Sequence, residues 1–152
     1  MAYNLKELTI RTNNEPKGIQ TINEVWRDIQ TGKIPLIFDS DHMLLKGISL
    51  VSRYSNYSSD EDGDYDLTIM SVTSEFFRKM DLAVSKGLYK KYDEQDEHGK
   101  VEMCTKKAWE KVWSDNKSGV IQRTFTQDFE STVPSEYTKD KKAHCYLYIA
   151  VQ

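Results

Sequence analysis

Residues 144–152 read HCYLYIAVQ, and their side chains alternate in character at every step. Successive side chains of a β-strand point to opposite faces of the sheet, so this alternation is typical of a strand with two different faces. One face is apolar and consists of Cys145, Leu147, Ile149 and Val151. The other face carries Tyr146 and Tyr148 and is aromatic with polar tips. We expect the apolar face to pack under a helix.

An equivalent strand, DYDLTIMSV, is predicted at residues 64–72. Leu67 and Ile69 would face a helix, and the opposite face holds Asp66, Thr68 and Met70. A sheet face in contact with water usually carries charged and small polar side chains. The non-helical faces of the two strands instead combine rings, a thioether and a carboxylate, as expected of a ligand-binding cleft. The alternative is that the tyrosines only cover an open sheet face, since Tyr is a good strand former.

Around these two strands the order strand, helix, strand, strand occurs twice. The first set is YNLKELTI (3–10), GIQTINEVWRDIQTGK (18–33), LLKGISLVSRYSNY (44–57) and DYDLTIMSV (64–72). The second set is GLYKKYDE (87–94), CTKKAWEKVWSDN (104–116), GVIQRTFTQDFE (119–130) and HCYLYIAVQ (144–152). This pattern predicts a single α+β domain over residues 1–152, with pseudo-repeats at about 1–73 and 80–152. The duplicated β-α-β-β units would form a curved antiparallel sheet with two helices on one face and a ligand cleft between the halves.

The segment TSEFFRKMDLAVSK, residues 73–86, is predicted to connect the halves. Its adjacent rings, Phe76 and Phe77, would cover an edge of the core or the mouth of the cleft.

Both predicted helices carry an apolar stripe with a tryptophan at a comparable place. Thr21 is the predicted N-cap and Gly32 the predicted C-terminal stop of the first helix. The stripes are Ile22, Val25, Trp26 and Ile29 in the first helix, and Ala108, Trp109, Val112 and Trp113 in the second. Trp26 and Trp109 are interpreted as core residues that could also contact a ligand, and Trp113 as a core residue.

The composition narrows the class of protein. Net charge is −3 over 152 residues and no segment is strongly basic, which argues against direct nucleic-acid binding. We find neither a signal-peptide pattern nor an apolar stretch long enough to span a membrane. Cys104 and Cys145 match no metal or redox spacing, and two reduced thiols in a cytoplasmic protein are favoured over a disulfide.

Motifs for catalysis, cofactors or metals are not recognised in the sequence. The histidines His42, His98 and His144 are scattered and are predicted to lie at the solvent-exposed surface. The acidic stretch SDEDGDYD, residues 59–66, lacks the spacing of an EF-hand loop and is predicted to be a hairpin turn around Gly63. Of its five carboxylates only Asp66, in the following strand and on its predicted cleft face, is a candidate for function.

From about residue 43 onward, the sequence resembles the GyrI-like small-molecule-binding domains of the effector-binding superfamily, which also occur in AraC-type and multidrug-responsive bacterial regulators. The resembling stretches are GISLVSRYSNYSSDEDGDYDLTIMSV, GLYKKYDE, AWEKVW, TQDFE and CYLYIAV. The resemblance implies a duplicated fold whose pocket receives lipophilic, often cationic compounds between aromatic rings and a carboxylate. Ring faces attract cations, and a carboxylate supplies the neutralising charge.

The sequence departs from that family pattern in its last strand. The family usually reads like CEIWIPV, with a glutamate facing the pocket, whereas this chain has Tyr146 there and Ala150 at the proline position. Asp66, Asp128 or Glu130 could replace the missing acid. Without it a neutral or aromatic ligand becomes more plausible, and the hydrolysis of reactive electrophiles that some relatives perform is harder to support.

These arguments predict a free-standing, non-enzymatic small-molecule-binding protein for sensing or sequestration, linked to transcriptional regulation or to drug or toxin response. The alternatives are a protein-interaction module like the topoisomerase inhibitors of the family, or a hydrolase. No catalytic residue, cofactor or metal is predicted, and the oligomeric state is left open. The predicted ligand-binding residues are Trp26, Tyr57, Asp66, Thr68, Met70, Phe76, Trp109, Phe125, Glu130, Tyr146 and Tyr148.

Overall fold

The structure is a computed structural model that describes residues 4–31, 49–59, 63–133 and 140–152. These residues form six strands and three helices. In chain order they are β1 (Asn4–Thr12), α1 (Pro16–Gln30), β2 (Ser49–Ser55), β3 (Tyr65–Val72), α2 (Ser74–Ser85), β4 (Tyr89–Asp96), α3 (Val101–Ser118), β5 (Gln127–Val133) and β6 (Ala143–Ala150). The predicted α+β class with antiparallel strands is confirmed.

The chain divides into two compact units, unit 1 (Met1–Lys79) and unit 2 (Met80–Gln152). Strand β3 lies between β1 and β2 in unit 1, and β6 lies between β4 and β5 in unit 2, with every pairing antiparallel. In both units a strand, a helix and two further strands follow each other in sequence. The cleft expected between the halves stays a prediction.

The core of unit 2 forms where the apolar face of β6 meets α3. Residues at every second position of β6 pack against residues one turn apart on α3, as expected from strand and helix periodicity. The buried members include Cys104, Ala108, Val112, Cys145, Leu147 and Ile149. The predicted faces of this strand are therefore confirmed. Cys104 and Cys145 are free, and burial raises the pKa of both thiols, so both stay protonated and unreactive at neutral pH.

The core of unit 1 follows the same rule. Leu67 and Ile69 of β3 are buried together with Ile29 of α1. Their register partners on β1, Ile10 and Leu8, pack against the same cluster. The prediction that Leu67 and Ile69 face a helix is confirmed.

Helix α1 begins before the predicted cap. Pro16 is the first residue of the helix, where its missing N–H removes no helical hydrogen bond, and Glu15 precedes it as the N-cap. Thr21 lies inside the helix and donates its hydroxyl to the Lys17 carbonyl at 3.1 Å, so the Thr21 cap is wrong. Gly32 lies outside the described residues.

Two other boundaries differ from the sequence prediction. The segment expected to be a plain connector is mostly helix α2, in which Phe76 is buried and its ring lies 5.3 Å from that of Phe77. The strand expected at residues 119–130 begins only at Gln127, because Gly119 takes a left-handed φ of 86° that ends α3 and the chain must turn before β5.

Leu147→Ala is expected to destabilise the protein by about 2–5 kcal/mol, because it opens a cavity at a fully buried position of β6. The free energy of unfolding from urea denaturation measures this loss. Leu88, which is 56% exposed, provides the matched control. Leu88→Ala should change stability by less than about 0.5 kcal/mol, and equal losses in the two variants would contradict the assigned core.

Candidate functional site

The side of β6 that faces away from α3 forms a polar and aromatic surface in unit 2. Tyr146 pairs across the strands with Asp93, and Tyr148 pairs with Lys91. We call the surface made by Lys91, Asp93, His144, Tyr146 and Tyr148 the tyrosine face. Tyr146 is half-buried, whereas Tyr148 is only 2% exposed. Tyr146 therefore offers the more accessible ring.

Lys91 already occupies the position that a ligand cation would take on this face. Its Nζ lies 5.5 Å from the ring centroids of both Tyr146 and Tyr148. The same ammonium group forms an ion pair with Asp81 Oδ1 at 3.2 Å, and the Tyr148 hydroxyl donates to that oxygen at 3.4 Å. The attraction between ring and cation is thus satisfied by the protein itself.

The two tyrosines remain neutral at physiological pH. Burial raises the pKa of Tyr148 well above its usual range, and the adjacent Asp81 carboxylate adds to the effect. Burial also raises the pKa of Tyr146, reinforced by the charges of Asp93 and Asp140. Both phenols therefore act as hydrogen-bond donors, and neither supplies a phenolate nucleophile or base.

His144 closes one end of the tyrosine face. Its Nδ1 lies 2.9 Å from Asp93 Oδ1 and its Nε2 lies 2.8 Å from Asp140 Oδ2. Its ring stacks on Tyr146 with centroids 5.4 Å apart and planes inclined by 10°. Two carboxylates can both accept from the ring only when both nitrogens carry a proton, so the geometry suits an imidazolium.

The predicted exposed position of His144 is wrong, because the residue is only 6% exposed. Burial by itself lowers its pKa, but the hydrogen bonds and charges of Asp93 and Asp140 outweigh that effect and raise it. Asp93 lies far from His144 in the sequence, and Asp140 lies four positions before it. The two carboxylates offset the cost of burying a charged imidazolium.

In unit 1 the side of β3 away from α1 carries Asp66, Thr68 and Met70. Asp66 accepts from Arg11 Nη1 and from Asn56 Nδ2, each at 3.2 Å. Met70 is buried, and the Thr68 hydroxyl lies 2.8 Å from that of Thr9. The carboxylate suggested as a substitute for the missing glutamate is therefore already neutralised by Arg11.

Three further predicted site residues gather on the helix-facing side of unit 2. The Trp109 indole donates to Glu130 Oε1 at 2.6 Å, and Glu130 pairs in register with Leu147 of the apolar face. The Phe125 ring centroid lies 4.2 Å from the Arg123 guanidinium carbon, and Phe125 holds a left-handed φ of 54°.

Arg123 contacts the rings of both Trp109 and Phe125, and the sequence did not predict this role. Its guanidinium carbon lies 5.9 Å from the Trp109 ring, and its Nη2 donates to Asp128 Oδ2 at 2.7 Å. Both side chains of this ion pair are buried, and Asp128 Oδ1 also accepts from the Ala150 amide at 2.9 Å. The sequence does place this arginine among strand-like, apolar residues such as Ile121 and Phe125. An arginine in such a segment is expected to be partly buried and to need an acidic partner.

The remaining predicted residues belong to the core of unit 1. Trp26 and Tyr57 pack against the cluster around Leu67, and the Tyr57 ring lies 5.9 Å from that of Tyr65.

Trp113, in unit 2, is 38% exposed, so its assignment to the core is wrong. It lies one helical turn beyond Trp109, whose ring is 6.3 Å away.

Within the described ranges, His, Cys, Asp and Glu side chains form no group of three or more suited to a metal ion. In the same part of the chain, none of the helices combines the length and apolar character that crossing a membrane requires.

The chain is matched by no family model, and the curated proteins include no match either. Among solved structures, an integron cassette protein from the mobile metagenome of Vibrio cholerae is similar, with a TM-score of 0.62 and 17% sequence identity. The match covers 98% of this chain and 93% of the cassette protein. At this identity the similarity establishes a shared α+β fold.

Asp128→Asn is expected to cost about 3–5 kcal/mol of unfolding free energy, because it leaves the buried Arg123 guanidinium without its counter-ion. Asp81→Asn breaks an exposed ion pair and should cost less than about 1 kcal/mol. Chemical denaturation of the two variants measures the difference, and equal costs would show that Asp128 is not needed to balance Arg123.

The His144 cluster should make stability depend on pH. Folding raises the pKa of His144, so its protonated ring stabilises the folded state. This stabilisation is complete below the unfolded pKa of about 6.5 and is lost as the pH rises through the folded pKa. Unfolding free energies of the wild type should therefore fall more steeply above about pH 6.5 than those of His144→Gln. His98→Gln, at an exposed histidine, is the control and should follow the wild type. Parallel pH profiles for the wild type and His144→Gln would contradict the assignment.

Proposed function

We propose that the protein is a small-molecule-binding protein of the effector-binding type, which takes planar and largely apolar molecules at the tyrosine face and acts in sensing or sequestration. The observation that supports this proposal most is the pair of neighbouring rings, Tyr146 and Tyr148, whose centroids both lie 5.5 Å from Lys91 Nζ. The order of segments that resembles effector-binding domains supports the same role.

Planarity of the ligand follows from the accessible ring. Tyr146 is half-buried, its ring stacks on that of His144, and its ring centroid lies 5.5 Å from Lys91 Nζ. A planar molecule can replace the Lys91 ammonium over the ring and gain an aromatic contact of about 0.5–1.5 kcal/mol beyond the area it buries. A bulky, non-planar molecule would gain only the buried area.

The charge of the ligand follows from the groups already present. Lys91 repels a second cation, and its counter-ion Asp81 also accepts from the Tyr148 hydroxyl. The family glutamate position is Tyr146, a neutral phenol at physiological pH. Neutral ligands should therefore bind better than cations of the same shape, in contrast to what the family pattern alone implies.

Two probes with one ring system test the proposal by isothermal titration calorimetry: 2-naphthylmethanol, which is neutral, and (2-naphthylmethyl)trimethylammonium, which is a cation. The wild type should bind the neutral probe about tenfold more tightly, a difference of roughly 1.4 kcal/mol. Lys91→Met should remove that preference, because the repelling charge is gone. Tyr146→Ala should weaken both probes.

Lys90→Met is the matched control, since Lys90 lies next to Lys91 but its Nζ is 6.0 Å from the Tyr92 ring on the other face of β4. It should leave both affinities at the wild-type level. Failure of both probes to bind, or unchanged binding by Tyr146→Ala, would overturn the assignment of the tyrosine face.

A further inference from the structure

A separate cross-strand row on the non-helical side of unit 1 is rich in hydrogen-bond donors. Thr68 of β3 lies opposite Arg53 of β2 on one side and Thr9 of β1 on the other. The two threonine hydroxyls lie 2.8 Å apart. Arg53 Nη2 donates to Thr68 Oγ1 at 3.4 Å, a long hydrogen bond.

Arg53 is incompletely satisfied within the part of the chain that the structure describes. A guanidinium has five N–H donors, and this one makes a single hydrogen bond, to Thr68. Its Nε is buried and has no hydrogen-bond acceptor among the described residues. The residue as a whole is half-buried. A buried charged donor without an acceptor is costly and is a rare feature of folded proteins.

The nearby carboxylate does not neutralise Arg53. Asp66 lies one row along the same face of β3, and its two oxygens accept from Arg11 and Asn56. The next row on the other side consists of the buried, apolar Val51 and Met70 and of Glu7, an exposed residue of β1 opposite Met70. Arg53 is thus a positive charge whose neighbours on β2 and β3 are two apolar side chains and an acid that is already paired with Arg11.

The hydroxyl pair adds a further donor. Two hydroxyl groups carry two O–H hydrogens, and only one of them is used in the bond between Thr9 and Thr68. When Thr9 is the donor in that bond, the Thr68 hydrogen is available to an acceptor placed beside Arg53. In that arrangement the row presents a guanidinium and a hydroxyl donor to the same place.

We propose that this row, Arg53 with Thr68 and Thr9, is a binding site for a carboxylate. A carboxylate supplies two coplanar acceptor oxygens and one negative charge, which match the planar fork and the single charge of Arg53. A phosphate dianion would require a second positive charge, and Arg11 is committed to Asp66. This site lies in unit 1 and is independent of the tyrosine face, so either proposal can fail alone.

Acetate tests the site without involving aromatic contacts, and acetamide is its neutral analogue of equal shape. The titration follows the side-chain Nε–Hε resonances of ¹⁵N-labelled full-length protein at constant ionic strength, and the Arg53 signal is assigned by its absence in Arg53→Gln. We expect acetate to shift the Arg53 signal in a saturable manner, and acetamide to leave it within about a tenth of that shift. Inorganic phosphate at equal ionic strength should shift it less than acetate.

Arg78→Gln is the matched control, because it removes the same charge from an exposed position on α2. It should keep the acetate response of Arg53 unchanged. Thr68→Val retains the volume but removes the hydroxyl, and should weaken acetate binding several-fold while the Arg53 signal remains observable. An Arg53 signal that acetate and acetamide move equally, or a stronger response to phosphate, would overturn the carboxylate site. If Arg53→Gln fails to fold, Arg53→Lys, which keeps the charge, assigns the signal in the same way.

Discussion

The two-residue period of the central strands is the constraint on which the rest of the structure depends. Strands β3 and β6 each have neighbours on both sides, so a shift of one residue would move every core side chain to the opposite face. Leu67 and Leu147 occupy equivalent places in this scheme, each buried against a helix. Once these residues face the helices, the side chains between them, such as Thr68 and Tyr148, are fixed on the other side. The candidate sites are therefore a consequence of the core.

The same period explains how much the sequence could predict. Alternation in DYDLTIMSV and HCYLYIAVQ is a local property, and it led correctly to the strands, their faces and the α+β class. The helix stripes gave α1 and α3, but not their first residues, because capping depends on single residues such as Pro16. Segment 73–86 is expected only to connect the halves, although most of it is helical.

Charged residues were predicted less well because their partners come from other strands. His144 reads as a surface residue until the register places Asp93 beside it, and Asp66 reads as a free carboxylate until β1 brings Arg11 alongside. Arg123 is buried only because Asp128 and the Phe125 ring meet it. For His144 and Asp66 the pairing of distant strands decides the environment, whereas the partner of Arg123 is only five residues away and follows a turn of the chain.

The pairing of these charges also changes the ligand chemistry that the chain can support. A cation site needs an acid that is still free to neutralise its ligand, yet Asp66 is bound by Arg11 and Asp81 by Lys91. Among the described residues, Lys91 lies over rings on the non-helical face of unit 2, and Arg53 lies beside hydroxyls on that of unit 1. The glutamate that the resembling domains carry in their last strand is Tyr146 here, so the resemblance gives no further reason to propose a cationic ligand. On the proposed function, the ligands should therefore be neutral or acidic, because Lys91 and Arg53 repel cations.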